Sequence, residues 1–469
     1  LSKYRNSRKT FRFIIRIYMK RYLTILQLEG YDLLRFIKWL IRNLFSTQNE
    51  NKVKLVYTIK IKLIIFVSIL IEMLIVFKTF NSTHNFLLIV SAFTIMYLGS
   101  FVIIILATLI LKPLDILFRI YEITFIKNKL LSNKNLKIVG ITGSYGKTST
   151  KEILYQLIKS KYKTLRTPES YNTISGIKKT LDFELDSSYE VFICEMSAYK
   201  KGDIKNLCKI INPTHGILTG ITTQHLERFG SLQNIVKTKF ELYDAIDNKQ
   251  NIIFNTNSIE ISEEIKSRNI NDFSEYVNAK NIVFSKSGSE FEITFKNKKY
   301  KVSTKLFGYS NIDNIMGALT MALKLGIDID YLINKIENLA PVQSRFVLKE
   351  NGNSMVVDNT FSSNEQSFYE TIKTAEETEG KKLLITPGLV ELGKNEESIN
   401  NKVGIKADIV FDKIILVGKN SRTIAFSKDF RSKPIFIKDS RKDYFETIER
   451  LKSEFDWIFL ENDVTQNYN

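Results

Sequence analysis

From about residue 136 onward, short apolar runs alternate with stretches in which apolar residues return every three or four positions. That rhythm predicts strands followed by amphipathic helices, the pattern of a parallel α/β sheet. Ile138-Val-Gly-Ile-Thr142, Tyr189-Glu-Val-Phe-Ile-Cys194 and Thr214-His-Gly-Ile-Leu-Thr-Gly-Ile221 read as strands of one domain. Lys382-Leu-Leu-Ile385, Lys413-Ile-Ile-Leu-Val417 and Trp457-Ile-Phe-Leu460 read as strands of a second, Rossmann-like domain. Upstream the pattern changes. Phe86 to Leu111 is 26 residues without a charge, and Leu63 to Phe77 is apolar except for Glu72, bracketed by Lys60, Lys62 and Lys78. Joined by Lys78–Asn85, the two runs predict a transmembrane helical hairpin. Leu33 to Phe45 spaces apolar groups at the helical period with cations between them, which fits a helix at a headgroup surface and equally a helix packed on a globular domain.

Charge sharpens this division. Residues 1–62 hold fifteen Lys/Arg against three Asp/Glu, so they carry +12 of the net +18. An excess beside hydrophobic spans points to a lipid bilayer as partner and away from nucleic acid. Lys112, Arg119, Lys127 and Lys129 follow the second span, so the positive-inside rule places both ends of the hairpin in the cytoplasm, at a cell inner membrane. The first thirty residues are basic throughout and do not read as a cleavable signal. Cys194 and Cys208 have neither zinc-site spacing nor a disulfide framework.

The densest chemistry lies in Ile138-Val-Gly-Ile-Thr-Gly-Ser-Tyr-Gly-Lys-Thr-Ser-Thr150, an apolar strand, a glycine turn and a helix start. Gly143 and Gly146 let backbone N–H groups close around phosphates, Ser144 and Ser149 flank them, and the helix N-terminus adds positive potential. Lys147 reaches the β- and γ-phosphates and Thr148 offers a hydroxyl to Mg²⁺. Ile141 stands where the longer P-loop has its first glycine, so the motif is the shorter Gly-x-x-Gly-Lys-Thr form. ATP is the expected ligand. Glu195 and His225 fall just past two further strands, where ligands of parallel sheets collect, and with Thr148 they suit one metal–phosphate centre. Alone, His225 reads as a surface histidine and Glu195 as a solvated carboxylate.

Taken in order, these motifs resemble the Mur ligases, ATP-dependent amide-forming enzymes of cell-wall precursor synthesis. Thr167-Pro-Glu-Ser-Tyr-Asn172-Thr-Ile-Ser-Gly176, Glu195-Met-Ser-Ala, His225-Leu-Glu-Arg-Phe-Gly-Ser-Leu232, Asn311-Ile-Asp-Asn314, Pro-Val-Gln-Ser-Arg345, Val356-Val-Asp358 and Gly388-Leu-Val-Glu-Leu-Gly393 extend the likeness over about residues 136–469. The branch that adds D-alanyl-D-alanine to UDP-N-acetylmuramoyl-tripeptide is the most similar. The resemblance implies that Lys239 is carbamylated and holds a second Mg²⁺ with Glu195 and His225; its spacing from His225 favours it over Lys237. It also implies that Asn311 and Asn314 lie on the adenine side, Arg345 against phosphate, Asp358 against ribose, and Asn172 and Thr173 against substrate. Lys147, Lys239 and His225 are then the catalytic group. Read without the family, Lys239 is a solvated helix charge, and the others are a cap, a surface charge and a turn.

Two regions depart from the family. Its N-terminal UDP-sugar domain is replaced by the apolar spans. Its Asp-Asp-Ser-Tyr-Asn-Ala-Asn-Pro run reads Asp358-Asn-Thr-Phe-Ser-Ser-Asn364-Glu, and its closing Lys-Gly-Ser reads Leu460-Glu-Asn-Asp463. The expected organisation is a basic segment at 1–62, a hairpin at 63–111, a linker helix at 112–135, a central ATP-binding domain at 136–345 and a C-terminal Rossmann-like domain at 346–469. The expected reaction joins a carboxylate to an amine through an acyl phosphate in a cell-envelope precursor. The alternatives are the same ligation on another carboxylate, such as a folate polyglutamate or another envelope polymer, or a membrane scaffold that binds ATP without turning it over.

Overall fold

The computed structural model describes residues 20–43, 55–83, 99–169, 171–222, 226–342, 345–361, 364–390, 392, 395–438 and 441–462. The chain divides near Tyr121 into two compact units.

In the first unit, Asp32 Oδ1 caps a helix, Leu33–Asn43, by accepting from the backbone N–H groups of Leu34 (3.0 Å) and Arg35 (3.2 Å). Phe36 and Leu40 on its apolar face are buried with Ile61, Ile64, Ile104 and Ala107 of the same unit, so this face packs on neighbouring helices. The first apolar run lies inside helix Ile59–Thr83. The second does not keep its expected limits. Residues 84–98 lie outside the described ones, and a single helix runs from Ser100 through Pro113 to Leu131, absorbing the expected linker. Apolar residues continue at helical spacing past the proline, which leaves the helix uninterrupted. Among the described residues only this helix has the length and apolar character of a bilayer crossing. The described residues therefore do not support the expected hairpin or its inner-membrane placement with both ends in the cytoplasm.

The second unit is built on sheets. Strands β1 (Lys137–Thr142), β2 (Thr164–Arg166), β3 (Val191–Glu195), β4 (His215–Leu218) and β5 (Ile252–Phe254) form a parallel sheet in the order β2-β3-β1-β4-β5. Nearly all their residues are buried, which is why they read as continuous apolar runs. Next, β6 (Ala279–Ser285), β7 (Gly288–Phe295) and β8 (Lys298–Thr304) make an antiparallel sheet that the sequence reading does not foresee. Strands β9 (Val347–Asn351), β10 (Ser354–Asn359), β11 (Lys382–Thr386), β12 (Lys413–Val417), β13 (Ile435–Ile437) and β14 (Trp457–Glu461) form a third sheet, ordered β13-β12-β11-β14-β10-β9, in which β9 alone is antiparallel. One apolar core continues from the first sheet into the third. Phe307 stacks on Trp457 with ring centroids 5.3 Å apart, and on Phe346 at 6.2 Å.

Candidate active site

Strand β1 delivers the glycine loop and helix Lys147–Ile158 begins directly after it. Gly146 has φ of 78°, in the left-handed region, and a Cβ there would sit 2.6 Å from Asn314 Oδ1. A Cβ at Gly143 would collide with Thr219 Oγ1 and lie 2.9 Å from the Gly220 carbonyl. The loop is thus pressed against the chain that follows β4. Ser144 anchors it there: its backbone N–H donates to Gly220 O (2.6 Å), and its Oγ accepts from the Thr222 N–H (3.2 Å). The Thr222 hydroxyl beside it is buried and has no hydrogen-bond partner among the described residues. Ser149 is buried in the first helical turn.

Lys147 folds back over its own loop, donating from Nζ to the carbonyls of Gly143 (2.8 Å) and Ser144 (2.9 Å). Burial pushes its pKa down to about 8 against the opposing pull of Glu195, with Arg345 adding to the fall. Those carbonyls stand in for the oxygens that a cradle of this shape is built to take.

Glu195 is the last residue of β3, paired in register with Ile141 of β1, so its side chain emerges beside the loop. It is almost wholly buried. Its Oε2 accepts from Thr148 Oγ1 (2.9 Å) and its Oε1 from Asn172 Nδ2 (3.1 Å). Lys151 Nζ stands 3.5 Å from Oε2. Sequence reasoning missed Lys151, although it follows Lys147 by one helical turn and so shares its face. Thr173 beside Asn172 caps helix Ile174–Glu184, its Oγ1 accepting from the Gly176 N–H (3.3 Å).

Lys239 lies on helix Leu232–Ala245 and is buried, whereas Lys237 is exposed. It has no hydrogen-bond or ion-pair partner among the described residues. Burial, followed by the charge of Lys147, pushes its pKa down to about 7, against the pull of Asp203 and Glu241. Burial there favours the uncharged amine over the ammonium. His225 lies outside the described residues. Among those residues no group of three His, Cys, Asp or Glu side chains forms a metal cluster. The donors brought together are the Glu195 carboxylate and the Thr148 hydroxyl, with the Lys239 amine on the neighbouring helix. An anionic oxygen beside a hydroxyl, and the orphaned Thr222 hydroxyl, suit a hard cation next to a phosphate.

The outer residues are placed as follows. Asn314 Oδ1 accepts from Thr150 Oγ1 (3.0 Å) against the loop. Asn311 is buried, donating from Nδ2 to the carbonyls of Phe307 (3.0 Å) and Phe346 (3.1 Å), so its amide ties two segments of the core. Arg345 stacks over Phe361 at 4.4 Å, and Glu195 contributes to its electrostatics. Asp358 on β10 pairs with Lys349 (2.7 Å) and accepts from Thr360 Oγ1 (2.7 Å). Asn364 caps helix Glu365–Glu376, with Oδ1 accepting from the Ser367 N–H (3.1 Å), while its buried Nδ2 has no partner among the described residues.

Residues 141–322 match the Mur ligase middle domain, which takes in the loop, Glu195, Lys239, Asn311 and Asn314. The chain is 28% identical over 302 residues to the UDP-N-acetylmuramoyl-tripeptide–D-alanyl-D-alanine ligase of Buchnera aphidicola, covering 62% of this chain and 65% of that one. The chain therefore matches just under two thirds of that relative's length. In fold it is similar to the MurF ligase of Thermotoga maritima in complex with ADP (TM-score 0.66, 22% identity, 74% of this chain and 80% of that one). It is also similar to a Mycobacterium tuberculosis folylpolyglutamate synthase (TM-score 0.57, 14% identity, 73% and 92%). Nothing in these comparisons supports the bilayer partner expected from the sequence. A phosphate loop joined to a strand-end glutamate and a buried lysine thus lies inside the stretch that matches the Mur ligase middle domain, and over that stretch the chain is similar to the Mur ligases.

Proposed function

We propose that the chain is an ATP-dependent ligase that joins the terminal carboxylate of a cell-wall peptide precursor to the amine of a short peptide, in the manner of the D-alanyl-D-alanine-adding branch. One observation carries the reading: Thr148, Asn172 and Glu195 share hydrogen bonds at the ends of two adjacent parallel strands, with Lys147 at the same point. That arrangement joins the nucleotide side to the loop that resembles the family's substrate loop. Lys147 and Arg345 offset charge on the γ-phosphoryl group as it passes to the carboxylate, and the amine then displaces phosphate from the acyl phosphate. Mg²⁺, bound by Thr148, Glu195, His225 and a carbamylated Lys239 in two sites, supplies further charge neutralisation when present.

The carbamate is supported by a buried, unpartnered amine with a pKa of about 7, since only the neutral amine takes up CO₂. We assign Asn311 and Asn314 to the adenine side, Asp358 to the ribose side, and Thr173 with Asn172 to the acceptor. The central domain then closes at Arg345 and the C-terminal domain follows. Fold likeness to a folylpolyglutamate synthase keeps a folate-type acceptor as the second reading. The test supplies ATP and Mg²⁺ with muropeptide or folate acceptors and the matching amine. Phosphate release that requires a muropeptide and a D-alanyl-D-alanine amine together supports the proposal. Release that requires a folate and glutamate selects the second reading, and release indifferent to acceptors overturns both.

A further inference from the structure

Lys151 is wholly buried, and a buried ammonium is costly unless oxygens surround it. Three do: the Glu169 carbonyl, which accepts its hydrogen bond, Glu152 Oε1 at 3.4 Å and Glu195 Oε2 at 3.5 Å. Glu152 in turn accepts from Arg166 Nε (2.7 Å), and the Arg166 guanidinium lies 3.8 Å from the Tyr155 ring centre. Cation and anion therefore alternate from Arg166 through Glu152 and Lys151 to Glu195. The carbonyl that Lys151 holds belongs to a residue with φ of 42°, a left-handed conformation that a side chain disfavours. The loop around it is tied at both ends to β3. Thr167 N–H donates to Ile193 O (3.0 Å), Thr167 Oγ1 accepts from the Glu195 N–H (3.1 Å), and Asn172 reaches Glu195 Oε1.

The two oxygens of Glu195 thus face different partners. Oε2 meets the helix that follows the phosphate loop, through Thr148 and Lys151, while Oε1 meets Asn172 of the next loop. A cation arriving at Glu195 competes with Thr148 and Asn172 for its lone pairs. Lys151 also holds the Glu169 carbonyl, which is not part of that competition. We propose that Lys151 is a positioning residue that couples the nucleotide side to the acceptor side, holding the loop of Glu169 and Asn172 in its working shape when Mg²⁺ and nucleotide bind. The inference rests on the reading of Glu195 as the metal-side carboxylate.

Hydrogen exchange of the full chain tests it, with a non-hydrolysable ATP analogue whose binding is followed separately by calorimetry. In the unsubstituted chain the analogue with Mg²⁺ slows exchange across Arg166–Asn172 by about tenfold, and with EDTA in place of Mg²⁺ it does not. In Lys151→Met the analogue still binds but the slowing is lost, and Lys151→Arg restores most of it. Full slowing in Lys151→Met overturns the coupling. So does bound analogue that leaves this peptide unchanged in the unsubstituted chain, a result that stands even if Lys151→Met does not fold. Absence of analogue binding in the unsubstituted chain overturns the phosphate-loop reading, and the coupling with it.

Discussion

Lys239 shows how a single side chain changes meaning with its surroundings. In the sequence it is one lysine among many on a helix face; in the fold it is buried, unpartnered and close enough to Lys147 to feel its charge. Its ordinary value of 10.5 falls to about 7, so the unfolded chain binds a proton there that the folded chain releases. Stability contributed by this group therefore rises as pH increases from about 7 toward the ordinary lysine value, and is flat below about 7. Urea titrations across that range should show a slope that Lys239→Met removes, on the order of a few kcal/mol over the whole window. Activity carries a second sign. Carbamylation needs the neutral amine, so turnover should fall as pH drops below about 7, and also when bicarbonate is stripped from the buffer. Lys239→Ala should lose about 10²-fold or more in turnover, with bicarbonate giving it no response; unchanged turnover would remove the carbamate from the account. Gly146 makes a steric prediction. Alanine there meets Asn314 Oδ1 at 2.6 Å in a left-handed backbone, so Gly146→Ala should cost about 1–3 kcal/mol in thermal or urea unfolding and weaken ATP binding.

At the scale of elements, the parallel strands were legible because both their faces are covered, which writes them as unbroken apolar runs. Glu195, at the end of such a run, was legible for the same reason. Lys151 was not, because a lysine in a helix gives no sign in sequence that the helix is buried on that side. The sheet β6–β8 was passed over for a different reason. Glu290-Phe-Glu-Ile-Thr-Phe295 alternates with a period of two, but its turn is Lys296-Asn297, both at positive φ (47° and 63°), where Asn-Gly is the usual signal. The uncharged run Phe86–Leu111 set the expected end of its helix at Lys112, yet apolar residues beyond that charge and beyond Pro113 keep one helix to Leu131. The stack of Phe307 on Trp457 belongs to this scale too, since it joins core from two sheets. Phe307→Ala should destabilise the second unit by about 3–5 kcal/mol in urea unfolding, and by more than a substitution of exposed Phe183.

For the whole molecule, the division near Tyr121 sets where the second unit begins. Ile126 and Leu130, at the end of helix Ser100–Leu131, are buried in the core beneath the first sheet, and Asn133 Nδ2 donates to Tyr189 O (2.7 Å). A chain shortened to start at Glu122 should therefore fold and bind ATP as the full chain does. One shortened to Asn133 should lose about 3–6 kcal/mol, the burial of two large aliphatic side chains, as read by thermal unfolding. Equal stability of the two would place the start of the fold later than the packing indicates. The central claim concerns the reaction itself, and the fate of one oxygen atom tests it most directly. If ATP phosphorylates the acceptor carboxylate and the amine then displaces phosphate, the bridging oxygen leaves with phosphorus. With a muropeptide acceptor labelled with ¹⁸O in its terminal carboxylate, mass spectrometry should find one ¹⁸O in each phosphate released and the new amide in the product. Amide product accompanied by unlabelled phosphate would contradict the acyl phosphate and, with it, the proposed role of Lys147 and Arg345.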